Sequence, residues 1–172
     1  MWLAVAAASI ALCESCHGPG GNSVTPMIPS IAAQPPTFLE NTLVYFREGL
    51  RNAQVMPAIA KTLTDEDITA LAKHFSTQKA TPGAAGAADS ALVARGTELA
   101  GKMHCGQCHM ARFQGQGQMA RLAGQREDYL FDAMVGYRDG KRSAADTTMT
   151  EVLYGVSDAD LRALAHFMAR AD

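Results

Sequence analysis

The sequence predicts an all-α protein built from two similar domains in tandem. A CxxCH pattern ends at His17 and again at His109, 92 positions later. Residues 32–51 align with 123–142, and residues 63–75 align with 156–168 after a two-residue insertion in the second copy. Apolar residues recur at helical spacing in both copies, and no segment alternates as a strand does. Each copy is therefore predicted to form a small unit of three main helices.

The first helix is predicted over residues 3–17, an apolar segment rich in small residues that continues directly into Cys13. Its counterpart, residues 91–104, leads in the same way into Cys105. The alternative is a signal-peptide remnant, but the segment has no positive start and falls short of the roughly 20 residues that cross a bilayer. We expect no transmembrane segment, and an export signal that has been removed or lies upstream of Met1.

The second helix of each copy is indicated by a stripe of apolar residues spaced three or four apart. Two prolines that suit a helix start precede the stripe in the first copy. They are Pro35 and Pro36, and the stripe is Leu39, Leu43, Phe46 and Leu50. The stripe in the second copy is Leu130, Met134 and Tyr137.

The last helix of each copy begins with a capping signal. Thr64 and Ser157 are each followed three residues later by an aspartate, Asp67 or Asp160, which is an acidic form of the capping box. Apolar residues then continue at helical spacing, namely Ile68, Leu71, Ala72 and Phe75 in the first copy and Leu161, Leu164 and Ala165 in the second.

Residues 76–91, between the copies, are rich in Ala, Gly, Ser and Thr with one proline, which is typical of a flexible linker. We predict an N-terminal domain over residues 1–78, a linker over 79–90 and a C-terminal domain over 91–172. Domains of about 80 residues have thin cores, so a large apolar cofactor buried in each would help it to fold. The net charge is −2 and neither half has a basic excess, which argues against a nucleic-acid partner.

All four cysteines lie in two CxxCH motifs, CESCH at 13–17 and CGQCH at 105–109. This pattern attaches haem c, because one helical turn presents both sulfurs to one edge of the porphyrin and the histidine lies beneath the iron. A four-thiolate zinc site would leave both histidines without a role, and a redox dithiol would require a βαβ unit. We therefore predict two covalently bound haem c groups, held by Cys13, Cys16 and His17 and by Cys105, Cys108 and His109.

The sixth iron ligand decides whether a haem carries electrons or performs catalysis. Two pairs among the nine methionines correspond in the repeat. Met56 and Met149 lie 39 and 40 residues after their histidines, whereas Met27 and Met119 each lie ten residues after theirs. A ten-residue loop is too short to pass round the ring to its far face. Met56 and Met149 are therefore predicted to be the axial ligands.

The remaining methionines and histidines are predicted to have no role at the irons. Met134 and Met168 have no methionine at the matching position of the first copy, and a lone methionine is a core residue by default. His74 and His166 could form bis-histidine sites, but neither has a histidine counterpart. Both are predicted to be partly exposed helix residues, and His104 also stands alone.

Histidine and methionine ligands together favour an electron carrier, because they raise the reduction potential and fix the iron coordination. The chain is therefore predicted to transfer electrons and not to be an enzyme. A dihaem peroxidase, the enzyme alternative, would need one open or displaceable iron position, and a haem sensor would normally carry an output domain. Haem c is attached on the outer side of the bacterial cytoplasmic membrane, which predicts a periplasmic location.

Several segments resemble the dihaem cytochromes of the cytochrome c4 group. They are CESCHGPGGNSVTPMIPSIA (13–32), TDEDITALAKHF (64–75), LAGQREDYL (122–130) and YRDGKR (137–142), together with Met56 and Met149. The resemblance covers nearly the whole chain. It implies two class I cytochrome c folds related by a pseudo-twofold axis, with the haems near the domain interface.

The stretch GNSVTPMIPSIAAQ (21–34) is similar in particular to cytochrome subunits of flavocytochrome c sulfide dehydrogenases. This resemblance implies a dehydrogenase, such as a flavoprotein, as electron donor and a downstream cytochrome or terminal oxidase as acceptor. A free cytochrome c4-like shuttle to a terminal oxidase is the alternative.

The resemblance also implies a partner for the haem histidine, since the family uses a proline carbonyl to accept its Nδ1 hydrogen bond. Pro29 stands at this place in the first copy and Ala120 in the second. We expect the Ala120 carbonyl to be able to accept this bond, because accepting a hydrogen bond does not require proline.

Overall fold

The computed structural model describes residues 2–81, 86–142 and 147–172, with side chains from residue 9 onward. Residues 82–85 of the predicted linker lie outside these ranges. Within them the protein is helical, and its only β feature is a single bridge between Gln116 and Met119. The all-α prediction is confirmed.

The N-terminal half consists of α1 (Trp2–His17), α2 (Pro36–Arg47), α3 (Met56–Ala60) and α4 (Asp65–Ser76). A single 3-10 turn, Pro19–Gly21, follows α1. Helix α2 packs against α3 and α4, and α1 packs against α4. Buried apolar side chains from α2 and α4 form the core, which comprises Leu39, Leu71, Ala72 and Phe75.

The C-terminal half consists of α5 (Ser90–Lys102), α6 (Cys105–His109), α7 (Glu127–Arg138), α8 (Thr148–Leu153) and α9 (Asp158–Met168). Helix α5 packs against α9, and α7 packs against α8 and α9. The core of this half is larger than the core of the N-terminal half and has no residue in common with it. Its largest side chains are those of Leu99, Phe113, Leu130, Met134, Leu161, Leu164 and Met168. The domain boundaries at residues 78 and 91 stay a prediction.

The capping signals act as predicted, with one difference between the copies. The Thr64 hydroxyl accepts from the Asp67 N–H at 3.2 Å, and the Asp67 carboxylate accepts from the Thr64 N–H at 3.1 Å, which completes the box. Ser157 accepts from the Asp160 N–H at 3.1 Å, but the Asp160 carboxylate accepts from Arg95 of α5 at 2.9 Å. The second cap therefore also ties α9 to α5.

Two helix ends differ from the sequence prediction. The helix before the second CxxCH motif ends at Lys102, and His104 adopts a left-handed conformation with φ of 55° before α6 begins. In the first copy α1 continues without a break into the motif. Leu50 lies beyond the end of α2 and is 60 % exposed, because Gly49 turns the chain with φ of 70°.

The prediction that His166 is partly exposed is wrong, whereas His74 is half-buried as predicted. His166 is only 5 % exposed, and its Nε2 accepts from the Asp89 backbone N–H at 2.9 Å. Its Nδ1 therefore carries the proton and donates to Glu127 at 3.0 Å. Arg170 donates to the other Glu127 oxygen at 2.8 Å. This cluster joins the residue before α5 to α7 and α9, a long-range contact that helical periodicity cannot reveal.

Glu127 is expected to make part of the stability of the C-terminal half pH-dependent. Burial raises the pKa of its carboxyl, but the hydrogen bonds from Arg170 and His166 outweigh burial and hold the pKa below its usual value of 4.5. A lowered folded-state pKa stabilises the fold above the unfolded pKa, and this stability is lost as pH falls through the folded value. Glu127→Gln should therefore destabilise the protein at pH 7, by less than about 1 kcal/mol for so exposed a pair, and much less at pH 3.

Urea unfolding of the wild type and Glu127→Gln at the two pH values measures this difference. Glu66→Gln, which removes an exposed carboxylate from α4, is the control for a general change of charge. An equal destabilisation by Glu127→Gln at pH 7 and pH 3 would contradict the prediction.

Two glutamines that correspond in the repeat join the halves. Gln34 donates to the Arg121 carbonyl and accepts from the Arg121 N–H, both at 2.9 Å. Gln125 makes the same pair of bonds with Ser30, both at 2.8 Å. Ser30 and Arg121 correspond in the repeat, as Gln34 and Gln125 do. Each half therefore makes the same contact with the other half, which is the arrangement that a twofold axis produces. The pseudo-twofold relation is confirmed.

The described part of the chain contains no helix with both the length and the apolar character needed to cross a bilayer.

Candidate functional site

The first CxxCH motif forms the C-terminal turn of α1. Cys13 is half-buried and packs at the edge of the N-terminal core, whereas Cys16 is exposed. The spacing of three residues places both sulfurs on one side of the helix. His17 follows immediately and is 8 % exposed. The motif therefore presents two thiols and one imidazole together.

The second motif repeats this arrangement on α6. Cys105 is half-buried against the C-terminal core, Cys108 is exposed and His109 is 8 % exposed. No disulfide bond joins any of the four cysteines. Before haem is attached, burial raises the pKa of the Cys13 and Cys105 thiols.

A backbone carbonyl fixes each histidine in one tautomer. His17 Nδ1 lies 2.8 Å from the Pro29 carbonyl oxygen, and His109 Nδ1 lies 2.8 Å from that of Ala120. A carbonyl only accepts, so Nδ1 carries the hydrogen and Nε2 keeps its lone pair. Burial lowers the pKa of both imidazoles more than the carbonyl raises it. Both rings are therefore neutral and suited to bind a metal through Nε2, and the expected role of Ala120 is confirmed.

A clamped loop brings each carbonyl back to its histidine. The Gly21 carbonyl accepts from the N–H groups of Ile31 and Ala32 at 2.8 and 3.0 Å. The Phe113 carbonyl accepts in the same way from Leu122 and Ala123, also at 2.8 and 3.0 Å. Each loop is therefore closed by the N–H groups two and three residues after the Nδ1 acceptor, and the two loops are built alike despite their different sequences.

The predicted methionine ligands lie in the first turn of short helices that have the same place in each half. Met56 is the first residue of α3, which packs against α2, and it is half-buried. Met149 is half-buried in α8 and packs against the same core as Cys105. Met27, the rejected candidate, is 49 % exposed, and its N–H donates to Asp128 across the domain boundary at 3.0 Å. Ligation by Met56 and Met149 stays a prediction.

Two guanidinium groups, one on a buried arginine and one on a half-buried arginine, meet between the halves. Arg51 and Arg142, which correspond in the repeat, both donate to the Tyr129 hydroxyl, at 3.1 and 2.7 Å. Desolvation raises the pKa of this phenol, but the charges of Arg142 and Arg51 hold it below its usual value. Among the described residues neither arginine has a carboxylate at ion-pair distance, and the Arg142 Nε atom is buried without a partner. Cations shielded from water in this way suit a group that carries carboxylates, as haem does.

The sequence prediction assigned no role to the residues that link the two sites. Gln34 and Gln125, and Arg51 and Arg142, coincide when the copies are aligned. Both glutamines and Arg51 make contacts that reach across the domain boundary. Tyr129 is opposite Phe38 in the alignment, so its hydroxyl is present in one copy only. The matched glutamines were the available signal, because an amide retained at the same place in both copies suggests a contact on the pseudo-twofold axis.

Family models match both halves of the chain. Residues 93–172 match the model described as Cytochrome c. Residues 4–75 match the model described as Cytochrome C oxidase, cbb3-type, subunit III.

Three curated relatives bear on the function. The cytochrome c4 of Thiocapsa roseopersicina is 31% identical over 169 residues, which cover 91% of this chain and 85% of the relative. The thiosulfate dehydrogenase electron acceptor of Thiomonas intermedia is 33% identical and covers 96% of this chain and 81% of the relative. The cytochrome subunit of sulfide dehydrogenase from Chlorobaculum tepidum is 41% identical over 63 residues, or 37% of this chain and 56% of the relative.

Solved structures share the fold over nearly the whole chain. Reduced recombinant cytochrome c4 from Pseudomonas stutzeri superposes with a TM-score of 0.88 at 28% identity, covering 98% of this chain and 97% of that one. The thiosulfate dehydrogenase TsdBA from Marichromatium purpuratum gives a TM-score of 0.80 at 26% identity and covers 93% of this chain but 36% of that one.

Proposed function

Because this chain belongs to the cytochrome c4 family, whose members are dihaem electron carriers, we propose that it accepts electrons from a dehydrogenase for a reduced sulfur compound. The chain is an electron-transfer protein with two covalently bound haem c groups, not an enzyme. One observation carries the proposal: a relative similar over 96% of this chain is a thiosulfate dehydrogenase electron acceptor. The likeness of residues 21–34 to sulfide dehydrogenase cytochromes supports the same class of donor.

We further propose that each half holds its haem with two cysteines, one histidine and one methionine. These residues are Cys13, Cys16, His17 and Met56 in the first half and Cys105, Cys108, His109 and Met149 in the second. Bound haem supplies a reversible one-electron couple at its iron. The Pro29 and Ala120 carbonyls hold the imidazole planes and leave each Nε2 free to bind. A ligand set fixed in this way changes little between the two oxidation states.

The proposed place of action is the periplasm, where c-type haems are attached. The downstream partner is a further cytochrome or a terminal oxidase. A free shuttle of the cytochrome c4 type is the second candidate function, favoured by the match of 85% of the Thiocapsa protein to this chain.

Replacing Met56 or Met149 by histidine, one at a time, is expected to remove about half of the weak red absorption band that marks sulfur-ligated ferric haem. The replaced site should also become easier to oxidise, because imidazole is a stronger base than a thioether. A redox titration followed by visible spectroscopy measures both effects.

Met168→Leu is the matched control, because it replaces a buried core methionine with a side chain of similar volume. The control should keep the full red band. If the red band keeps its full strength in Met56→His or Met149→His, the replaced methionine is not an iron ligand.

The donor is tested by purifying the protein natively from its source and recording the spectrum of whatever co-elutes. A flavin band that bleaches with sulfide, followed by reduction of the haems, identifies a sulfide-oxidising flavoprotein. Reduction by thiosulfate through a partner without flavin identifies a thiosulfate dehydrogenase. A two-haem spectrum with no partner and no response to either compound would overturn the proposed donor and favour the free shuttle.

A further inference from the structure

The peptide unit between Pro29 and Ser30 connects His17 to the other domain. Its carbonyl oxygen accepts from His17 Nδ1 at 2.8 Å. Its N–H, which belongs to Ser30, donates to the Gln125 side-chain oxygen at 2.8 Å. The Gln125 amide donates back to the Ser30 carbonyl, also at 2.8 Å. His17 is therefore joined to a glutamine of the C-terminal half through a single peptide group.

The same connection runs in the opposite direction from His109. The Ala120 carbonyl accepts from His109 Nδ1 at 2.8 Å, and the N–H of the same peptide unit belongs to Arg121. That N–H donates to the Gln34 side-chain oxygen at 2.9 Å, and the Gln34 amide donates to the Arg121 carbonyl at 2.9 Å. Each histidine thus depends on a glutamine from the other half.

Both connections run through the buried part of the domain boundary. Gln34 and Gln125 are each 5 % exposed, and Ser30 is 8 % exposed. Hydrogen bonds arranged in series polarise one another, and the effect is larger where water is excluded. A peptide whose N–H donates carries more negative charge on its carbonyl oxygen. The Nδ1–H bond to that oxygen is then stronger, and the imidazole becomes a more basic ligand.

We propose that Gln34 and Gln125 are positioning residues that tune the haem ligand of the opposite domain. The inference rests on the proposed function, in which His17 and His109 bind the irons. Gln125 raises the basicity of His17, and Gln34 raises that of His109. Contact between the two halves thereby affects both haems. It gives each haem a lower reduction potential than its own domain alone would give.

The test compares Gln125→Ala with Gln34→Ala and follows each haem separately. Ferric haem methyl signals in the NMR spectrum, assigned with the Met56 and Met149 variants, report the potential of each site during a redox titration. Gln125→Ala is expected to favour reduction at the His17 site by about two- to tenfold, with little change at the His109 site. Gln34→Ala should give the reverse pattern.

Two further variants keep the result interpretable. Gln125→Glu retains an oxygen acceptor for the Ser30 N–H but loses the donor to the Ser30 carbonyl and adds negative charge, so it should return the potential of the His17 site to the wild-type value or below it. Gln78→Ala removes a glutamine that donates only within the first half, to the His74 carbonyl at 3.1 Å, and should shift neither potential.

The crossed pattern distinguishes tuning from a structural role. Loosening of the domain boundary would shift both potentials together, and a local disturbance would shift the haem of the mutated domain; either result overturns the inference, as does the absence of any shift. Failure of the proposed ligand set is seen separately, because the wild-type ferric spectrum would then lack the red band before any glutamine is changed.

Discussion

Replacing Cys105 and Cys108 together by alanine is expected to halve the covalently bound haem, from two groups per chain to one. The chain has four cysteines, all in the two motifs, so no other sulfur can form the missing thioether bonds. A haem lost from the second half also removes binding energy that stabilises its fold. The haem-to-protein ratio is measured by the pyridine haemochrome spectrum, and the mass of the denatured chain should fall by one haem.

Two further variants serve as comparisons for this result. Cys13→Ala with Cys16→Ala should remove the other haem and give the same ratio. Gln107→Ala, which changes an exposed residue between the cysteines of the second motif, should keep both haems. A denatured Cys105→Ala/Cys108→Ala chain that still carries two haems would contradict the assignment of the motif.

The parts of the fold that the sequence predicts correctly are those set by nearby residues. Thr64 with Asp67 specifies a helix start within three positions, and the bonds between them form as expected. The stripe that includes Leu71 and Phe75 is likewise buried against α2. Local signals of this kind need no knowledge of what the helix packs against.

The cysteines and the histidine of each candidate site are also brought together by local sequence. The spacing within CESCH brings Cys13, Cys16 and His17 together on one helical turn, whatever surrounds them. The Nδ1 acceptors Pro29 and Ala120 lie 12 and 11 residues away from their histidines, and only the family resemblance indicated them. Loop closure through the Gly21 carbonyl places Pro29 there, and no periodic pattern encodes that turn.

Contacts over long sequence separations account for what was missed. His166 is buried because Glu127, 39 residues earlier, and Asp89, 77 residues earlier, satisfy both of its nitrogens. Gln125 forms a hydrogen bond with Ser30, which lies 95 residues earlier in the chain. Such a contact depends on how two domains dock, and one sequence without relatives carries no signal for docking beyond the repeat itself.

Replacing Gly96 by alanine is expected to destabilise the C-terminal half by about 2–4 kcal/mol, because no space exists for a methyl group at the crossing of α5 and α9. A Cβ at this position would lie 2.5 Å from the Phe167 Cβ and closer still to the Ala163 carbonyl oxygen. The obstacle is largely the backbone of α9, which cannot rotate away as a side chain can. The two helices would have to separate, and the packing of the core to which Leu99 and Leu164 belong would weaken.

Gly101→Ala is the matched control, because it makes the same chemical change in the same helix. Nothing lies within 4 Å of a Cβ at Gly101, so the higher helix propensity of alanine should act alone and stabilise the protein by up to about 1 kcal/mol. Thermal unfolding followed by circular dichroism should therefore show opposite shifts, with a loss of roughly 10–25 °C for Gly96→Ala in a domain of this size. If both variants unfold at or above the wild-type temperature, α5 and α9 do not cross as closely as described. If both lose stability equally, glycine is needed in α5 for a reason other than the helix crossing.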